Sequence, residues 1–583
     1  MTSRTWQDWA VLLWPPVLAL VLVAPLMVRP GHPLARDLVF VPRQPFTDAT
    51  WGLGDVAPRA VPLDSVVAAL THLVDGGVLA RVVLPLTLAL LGWGVSALLA
   101  PAGRTAQLAG SGFAVWNAYV VERLALGQWA LLLALAALPW LVAAAMRYRR
   151  EGRRVDLAAA VAWSALASLT PTGGLFALAG LVVACTPHVR RSGAVLLAGL
   201  ALQAPWVVAA VTGPGGGVSD ASGVAAFAPD TESAHGPVVA LLGLGGIWDA
   251  GSEPATRTTW VALLAAVVVV VVLAVSVPLL RRVWGTGDTA RWVVLAALLG
   301  GTALVAATSW GEDLMVWLVD TVPGAGLLRD TQKLLAPAVV LTSAAFGACA
   351  SRITRALAGT DAHALSAFVL ALVPVVLLPD ATTETWRTVE PVALPADLTR
   401  AADRLAGEEG VVVTLPWRSY RAFDWGHQGM TSSDPAIRMF DADVVTSDSL
   451  QVGAVLVPGE STLAARIGAA LEEGPPATTL PDLGVSWVVV YPDDPEAGQL
   501  DLTGLEPVLT GADVEVYRVP GAEPQGTSDP TARRAAVWGA HLLALTLVVG
   551  AVGTRLVERR RSRDADTNSG ARRTGRRASV HVT

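Results

Sequence analysis

The sequence predicts a mainly α protein: a polytopic transmembrane helical bundle of about twelve spans, with a small extracytoplasmic α/β domain just before the last span. Three observations predict it. Of the 583 residues, 53% are hydrophobic and 15% charged, and the mean hydropathy of +0.52 is too high for a soluble chain of this length. Apolar runs approaching the ~20 residues needed to cross a bilayer recur along the chain. One long stretch, 380–533, breaks that pattern. Its hydrophobicity falls and acids outnumber bases roughly three to one, as in a solvated globular domain.

The apolar runs lie near residues 9–28, 79–100, 106–117, 128–146, 157–170, 173–187, 194–212, 258–280, 291–308, 335–350, 363–379 and 534–554. The first follows Arg4 as a signal peptide would, but it continues without a small-residue cleavage site and is expected to remain as an anchor. Runs 106–117, 157–170 and 173–187 are short or interrupted, as helices broken at membrane depth would be. With the N-terminus inside, the short basic clusters all fall on one side. They are Arg104, the group from Arg147 to Arg154, Arg190 with Arg191, Arg281 with Arg282, Arg352 with Arg355, and the tail 556–583. This satisfies the positive-inside rule and predicts a multi-pass plasma-membrane protein with both termini cytoplasmic. The Arg-, Ser- and Gly-rich tail is expected to be disordered and to touch anionic lipid, with no nucleic-acid partner. Cys185 and Cys349 lie in apolar runs and read as small buried fillers.

The bundle, 1–379, therefore presents the outer segments 29–78, 117–128, 213–257 and 309–334, and the last helix is 534–555. In the first outer segment, Val66, Val67, Leu70, Leu73 and Val74 recur at helical spacing and predict an amphipathic helix in the outer interface. The apolar patch VVALLGLGGIW in 213–257 is too short to span, and is expected to re-enter the membrane or lie along it. Within 380–533, residues 410–417, 484–492 and 512–520 read as strands, and 461–474 as a helix capped by Ser461.

No P-loop, dinucleotide fingerprint, HExxH or nucleophile elbow is present. The informative charges sit in outer loops, close to helix ends. They are Asp37 with Arg36 and Arg43; Glu122 with Arg123; and Arg329, Asp330 and Lys333, the chain's only lysine. Asp48 and Asp55 lie further along the first loop. A carboxylate here could act as general base on an acceptor hydroxyl. Arg or Lys could hold the phosphate of a lipid-linked donor and stabilise the leaving charge. The plainer alternative is that Glu122–Arg123 and Arg329–Asp330 are ion pairs closing loop ends, and that Asp37 only solvates its loop. Trp417, Tyr420 and Trp425, in LPWRSYRAFDWGHQG, offer aromatic faces to a sugar acceptor or else pack into the core.

In its layout, and in the stretches NAYVVERLALGQWALLLALAALPW (117–140) and GAGLLRDTQKLLAP (324–337), the chain resembles the C-type membrane glycosyltransferases, the GT-C superfamily, including actinobacterial arabinofuranosyltransferase-like members. The resemblance in layout covers residues 1–380. It implies transfer of a sugar from a polyprenyl-phosphate donor to a cell-envelope glycan or lipid acceptor on the outer face. Asp37 would match the catalytic acid, and Arg329 and Lys333 the donor-phosphate contacts. Arg36, Arg43, Glu122, Arg123 and Asp330 complete the expected substrate-binding set. Many members carry a second acid beside the first or two positions away, whereas Arg36 and Leu38 flank Asp37 here. A divalent cation thus has no paired-acid motif to hold it, and no metal ligand is assigned. Two other readings remain open: a non-catalytic relative that binds glycan or assists envelope assembly, and a lipid or glycan flippase. Few ionisable residues lie within the spans, which weighs against transport.

Overall fold

A computed structural model of the chain describes residues 6–55, 57–186, 189–213, 219–360, 362–523 and 529–578. Among the described residues the apolar runs are mostly helical, and six helices are long and apolar enough to cross a membrane: Gly76–Ala102, Trp129–Glu151, Trp260–Trp284, Thr286–Ala306, Thr331–Ala356 and Thr531–Glu558. The number reaches 8 if each of two bent pairs is one span, Arg191–Ala201 with Ala204–Thr212 and Ala362–Leu377 with Ala381–Val389. The difference from about twelve comes from short helices such as Arg104–Val115 and Arg154–Ala167, of 12 and 14 residues. Hydropathy counts an apolar run without knowing whether lipid or protein surrounds it. Arg104–Val115 is surrounded by protein. It lies against the central helix Ala336–Ala356 through small residues, where a Cβ on Gly347 would stand 3.1 Å from the Gly110 Cα. Trp260–Trp284 behaves oppositely and exposes Val267, Val270, Val271 and Val275.

The α/β domain is built on a five-stranded sheet. Its strand order is Glu506–Leu509, Glu515–Arg518, Val485–Val490, Val411–Leu415 and Asp443–Val445. The last three run parallel to one another, and the first two are added antiparallel. Val411–Leu415 and Val485–Val490 are buried at every residue, which is why they read as near-continuous apolar runs, interrupted only by Thr414 and Ser486, rather than alternating ones. Helix Ala396–Leu405 covers one face through Leu398, Ala401 and Leu405. Helix Thr462–Glu473 covers the other through Ala464 and Ile467, and the Ser461 hydroxyl accepts from Ala464 N at 2.9 Å.

The first outer segment stitches this domain to the bundle. His32–Ala35 and Leu38–Val39 form a hairpin, and His32–Ala35 also pairs with Pro391–Val392. Two of the segment's acids, Asp48 and Asp55, are used as fasteners. Asp48 binds Arg534 at the base of the last helix, with Oδ1 3.1 Å from Nη1. Asp55 receives Leu463 N at 2.6 Å and the Ser461 hydroxyl at 2.8 Å, so it neutralises the N-terminus of the domain helix Thr462–Glu473. Helix Ala381–Val389 docks on the bundle, donating from Thr388 Oγ1 to Ala125 O at 2.6 Å and from Trp386 Nε1 to Val21 O at 2.7 Å.

Helix Leu63–Thr71 buries Leu63 and Val67 and leaves Val66 and Leu70 exposed, with Leu73 and Val74 exposed just beyond its end. In the patch at 238–248, which opens on the short helix Pro237–Leu242, Leu241, Leu244 and Ile247 are buried in protein and Val238 is exposed. The last helix continues to Ala578. The last residues, 579–583, lie outside the described ones.

Candidate active site

Asp37 occupies the turn of the His32–Val39 hairpin. Leu34 pairs with Val39 and Ala35 with Leu38, leaving Arg36 and Asp37 as the two turn residues. A two-residue turn of this kind needs positive φ, and Arg36 supplies it at 52°. That conformation costs a residue with a Cβ roughly 1–2 kcal/mol, so neighbours must hold it. They come from both halves of the protein. Arg36 N donates to Thr431 O at 2.7 Å and Ser433 N to Arg36 O at 3.0 Å, from the α/β domain, while Asp37 N donates to Leu126 O at 3.2 Å, from the bundle. The bundle comes this close because Gly127 is bare: a Cβ there would lie 2.3 Å from Leu38 N.

The Asp37 carboxylate is gripped from two directions. Tyr420 OH donates to Oδ1, and Gln128 Nε2 donates to Oδ2 at 3.2 Å. Burial and the adjacent Asp37 charge raise the Tyr420 phenol well above its ordinary value, so it remains a donor. Behind Gln128 the hydrogen bonds continue. Gln128 Oε1 accepts from Arg123 Nη1 at 2.7 Å, and Arg123 binds Asp330 with both nitrogens, at 2.7 and 2.8 Å. Lys333 Nζ lies 3.4 Å from Asp330 Oδ2. Asp37 and Lys333, 296 positions apart in sequence (333 − 37), are thus the two ends of one polar chain.

Asp37 also faces a cavity of about 520 Å³ between the bundle's outer loops and the α/β domain. Its walls include Trp248 and Asp249 from the bundle and Trp417, Arg418, Tyr420 and Gln451 from the domain. The volume falls within the range of small-ligand sites, and indole faces beside hydroxyls and amides suit a sugar. Arg36, although it lines the cavity, has little to offer a ligand. Its Nη1 donates to Ala125 O at 2.7 Å and Ser252 Oγ at 2.8 Å, its Nη2 donates to Gly251 O, and its Nε lies 3.5 Å from Asp249.

No protein-family model and no curated protein matches this chain. Solved structures do. The cryo-EM structure of the arabinofuranosyltransferase AftD from Mycobacteria aligns at a TM-score of 0.53 and 16% identity, covering 90% of this chain and 40% of that one. A second structure, of a point variant of AftD, aligns at 0.52 and 19%, covering 90% and 42%. The chain shares the fold of these AftD structures over nine-tenths of its length. At these identities the likeness carries the fold, and the chain spans less than half the length of AftD.

Within this fold the expected residues separate into groups. Asp37, Arg123, Asp330 and Lys333 come together in the polar chain, and Tyr420 and Trp417 line the cavity. Arg43 is exposed and has no polar partner among the described residues, because the segment after the hairpin carries it away from Asp37. Arg329 turns from Lys333 towards the α/β domain, 3.6 Å from Glu460 and stacked over Phe227 at 5.0 Å. Trp425 is spent on packing, stacked on Phe423 at 4.4 Å within the domain core. Glu122 is fully buried and accepts from Gln332 Nε2 at 2.9 Å, beside the buried Glu232–Arg257 pair. Burial and the Glu232 carboxylate push the Glu122 carboxyl well above its ordinary value, which makes it a poor ligand for phosphate or metal.

Each Asp37 carboxylate oxygen accepts one hydrogen bond, and the nearby acid Asp249 faces Arg36 and accepts from Ser252. Among the described residues no group of three or more His, Cys, Asp or Glu side chains could hold a metal ion. Gln128, Trp248 and Asp249 are the site residues the sequence does not single out. Each is polar or aromatic in a loop, a signal too common to select any of them.

A stability effect follows from the loop that holds Arg36. Burial, with Glu232 and Asp230 nearby, pushes the Glu253 carboxyl up to about 8. Unfolded, it titrates near the usual ~4.3. Its contribution is therefore present below that pH and is lost as pH rises towards 8, because the folded state binds the proton more tightly. Glu253→Gln is expected to flatten the fall in melting temperature between pH 5 and 8. Thermal unfolding of the detergent-solubilised protein checks this, and parallel wild-type and variant profiles would contradict it.

Proposed function

We propose that this protein transfers a sugar from a polyprenyl-phosphate donor to a cell-envelope glycan or lipid acceptor. By the placement of its basic clusters, the reaction occurs on the outer face of the plasma membrane, with both termini cytoplasmic. The observation that carries the reading is the position of Asp37. It faces the ~520 Å³ cavity on one side and is joined through Gln128, Arg123 and Asp330 to Lys333 on the other. In the reaction, an acceptor hydroxyl in the cavity gives its proton to Asp37 while its oxygen forms a bond to the anomeric carbon. The bond from that carbon to the phosphate oxygen breaks, and polyprenyl phosphate leaves with the electron pair. Lys333, partly exposed at the end of the chain, offsets the charge that develops on the phosphate. Attack and departure on opposite faces invert the anomeric centre.

A second reading, a non-catalytic glycan-binding partner, draws support from two features: both Asp37 oxygens already accept hydrogen bonds, and no second acid adjoins it in sequence. Transfer assays in proteoliposomes separate the two. The first donor to supply is a polyprenyl-phosphate arabinofuranose, since AftD is an arabinofuranosyltransferase. Wild-type protein is expected to transfer, and Lys333→Met to raise the donor KM by roughly 10- to 100-fold, the worth of one charge-assisted hydrogen bond. Glycan binding with no transfer from any polyprenyl-phosphate sugar supports the second reading instead.

A further inference from the structure

We infer that Gln128 is a positioning residue: it holds the Asp37 carboxylate in its working orientation and ties that orientation to the Lys333 end of the site. The inference rests on the transfer reading above. Gln128 stands at the N-cap position of helix Trp129–Glu151, where a polar side chain ordinarily accepts from the first-turn amides, yet it makes no capping bond. Its amide is committed to the two charged neighbours instead.

Those neighbours fix which way the amide points. Arg123 has five N–H donors and no acceptor, so the atom 2.7 Å from its Nη1 must be the Gln128 oxygen. The amide nitrogen then faces Asp37, at 3.2 Å. A flipped amide would set donor against donor at Arg123 and oxygen against carboxylate at Asp37. Arg123 cannot move to relieve this, because it is fully buried and held by both oxygens of Asp330. The backbone is equally fixed. Gln128 N donates to Arg123 O at 2.8 Å, and the preceding Gly127 lies against Leu38.

Asp37 is thus held by one donor from each half of the protein, Tyr420 from the α/β domain and Gln128 from the bundle. Without Gln128, Tyr420 alone directs the carboxylate. The link to Lys333 through Arg123 and Asp330 is lost too, and phosphate arriving at Lys333 no longer bears on the base. Neither role requires Gln128 to touch substrate.

The test uses the full-length protein in proteoliposomes with polyprenyl-phosphate arabinofuranose as donor. Gln128→Ala is expected to lower kcat roughly 10- to 100-fold, the usual effect of a misplaced reacting group, with donor and acceptor KM within about threefold. Gln128→Glu keeps the bond from Arg123 and sets two carboxylates in contact. The charged and titratable groups facing that pair are Tyr420, Arg123, Asp330 and Arg36. The two carboxylates share one proton, so the acid O–H stands in for the lost N–H at low pH; activity then falls as pH rises and that proton leaves. This limb, at lower pH than any alkaline loss in wild type, is a signature that a merely structural glutamine would not produce. It also decides the matter if Gln128→Ala fails to fold. Wild-type kcat in Gln128→Ala, or a wild-type pH profile in Gln128→Glu, overturns this inference and leaves the transfer reading standing. No transfer by wild-type protein from any polyprenyl-phosphate sugar overturns both.

Discussion

Asp37→Asn is expected to abolish most sugar transfer, lowering kcat by roughly 10²–10⁴-fold, the range for loss of a general base. Asparagine matches aspartate in size, and its carbonyl oxygen can still accept from Tyr420. Its NH2 group faces Gln128 Nε2 where a carboxylate oxygen stood, so one hydrogen bond is lost, worth about 1 kcal/mol. The backbone clamp on the turn, from Thr431, Ser433 and Leu126, does not involve the side chain. The variant should therefore fold, bind and fail to turn over. Asp48→Asn serves as the control: that carboxylate is bound to Arg534, remote from the cavity lining, and transfer should remain within a few-fold of wild type. Initial rates at saturating donor and acceptor check both.

The largest effect on stability is expected from Arg123→Ala. The guanidinium is fully buried, bound bidentate to Asp330 and also to Gln128. Burial alone would raise the Asp330 carboxyl, but the Arg123 and Lys333 charges overcome it and hold it at about 2. Removing Arg123 leaves a buried carboxylate with only Lys333, at 3.4 Å, and exposes Asp330 to the full cost of desolvation. Breaking a buried pair from one side typically costs about 3–5 kcal/mol, a large share of the ~5–15 kcal/mol that holds a protein folded. A marked drop in melting temperature in detergent is the expected readout. Arg123→Lys should recover only part of it, because a single ammonium cannot span both carboxylate oxygens.

The parts of this fold legible in sequence are those governed by local rules. The central strands of the α/β domain, the Ser461 cap and the first-loop amphipathic helix follow from apolar pattern and capping chemistry. So do the apolar helices themselves. Whether each crosses the membrane does not, because Arg104–Val115 is apolar for the sake of a glycine contact with the central helix rather than for lipid. At the site, Asp37, Arg123, Asp330 and Lys333 stood out as charges near helix ends. Their connection through Gln128 did not, since nothing local distinguishes that glutamine. Arg36 and Arg329 are cations of the expected type in the expected loops, yet their guanidiniums are committed to Gly251, Ser252 and Asp249, and to Glu460. Only the tertiary fold decides which charges are already taken.

The central claim is that Asp37 drives transfer from a polyprenyl-phosphate sugar. Its most direct test counts both products, polyprenyl phosphate released and acceptor extended, with wild-type and Asp37→Asn protein in the same proteoliposomes. The account predicts one polyprenyl phosphate per sugar added for wild type and almost none of either product for the variant. Equal turnover by the two proteins would contradict it.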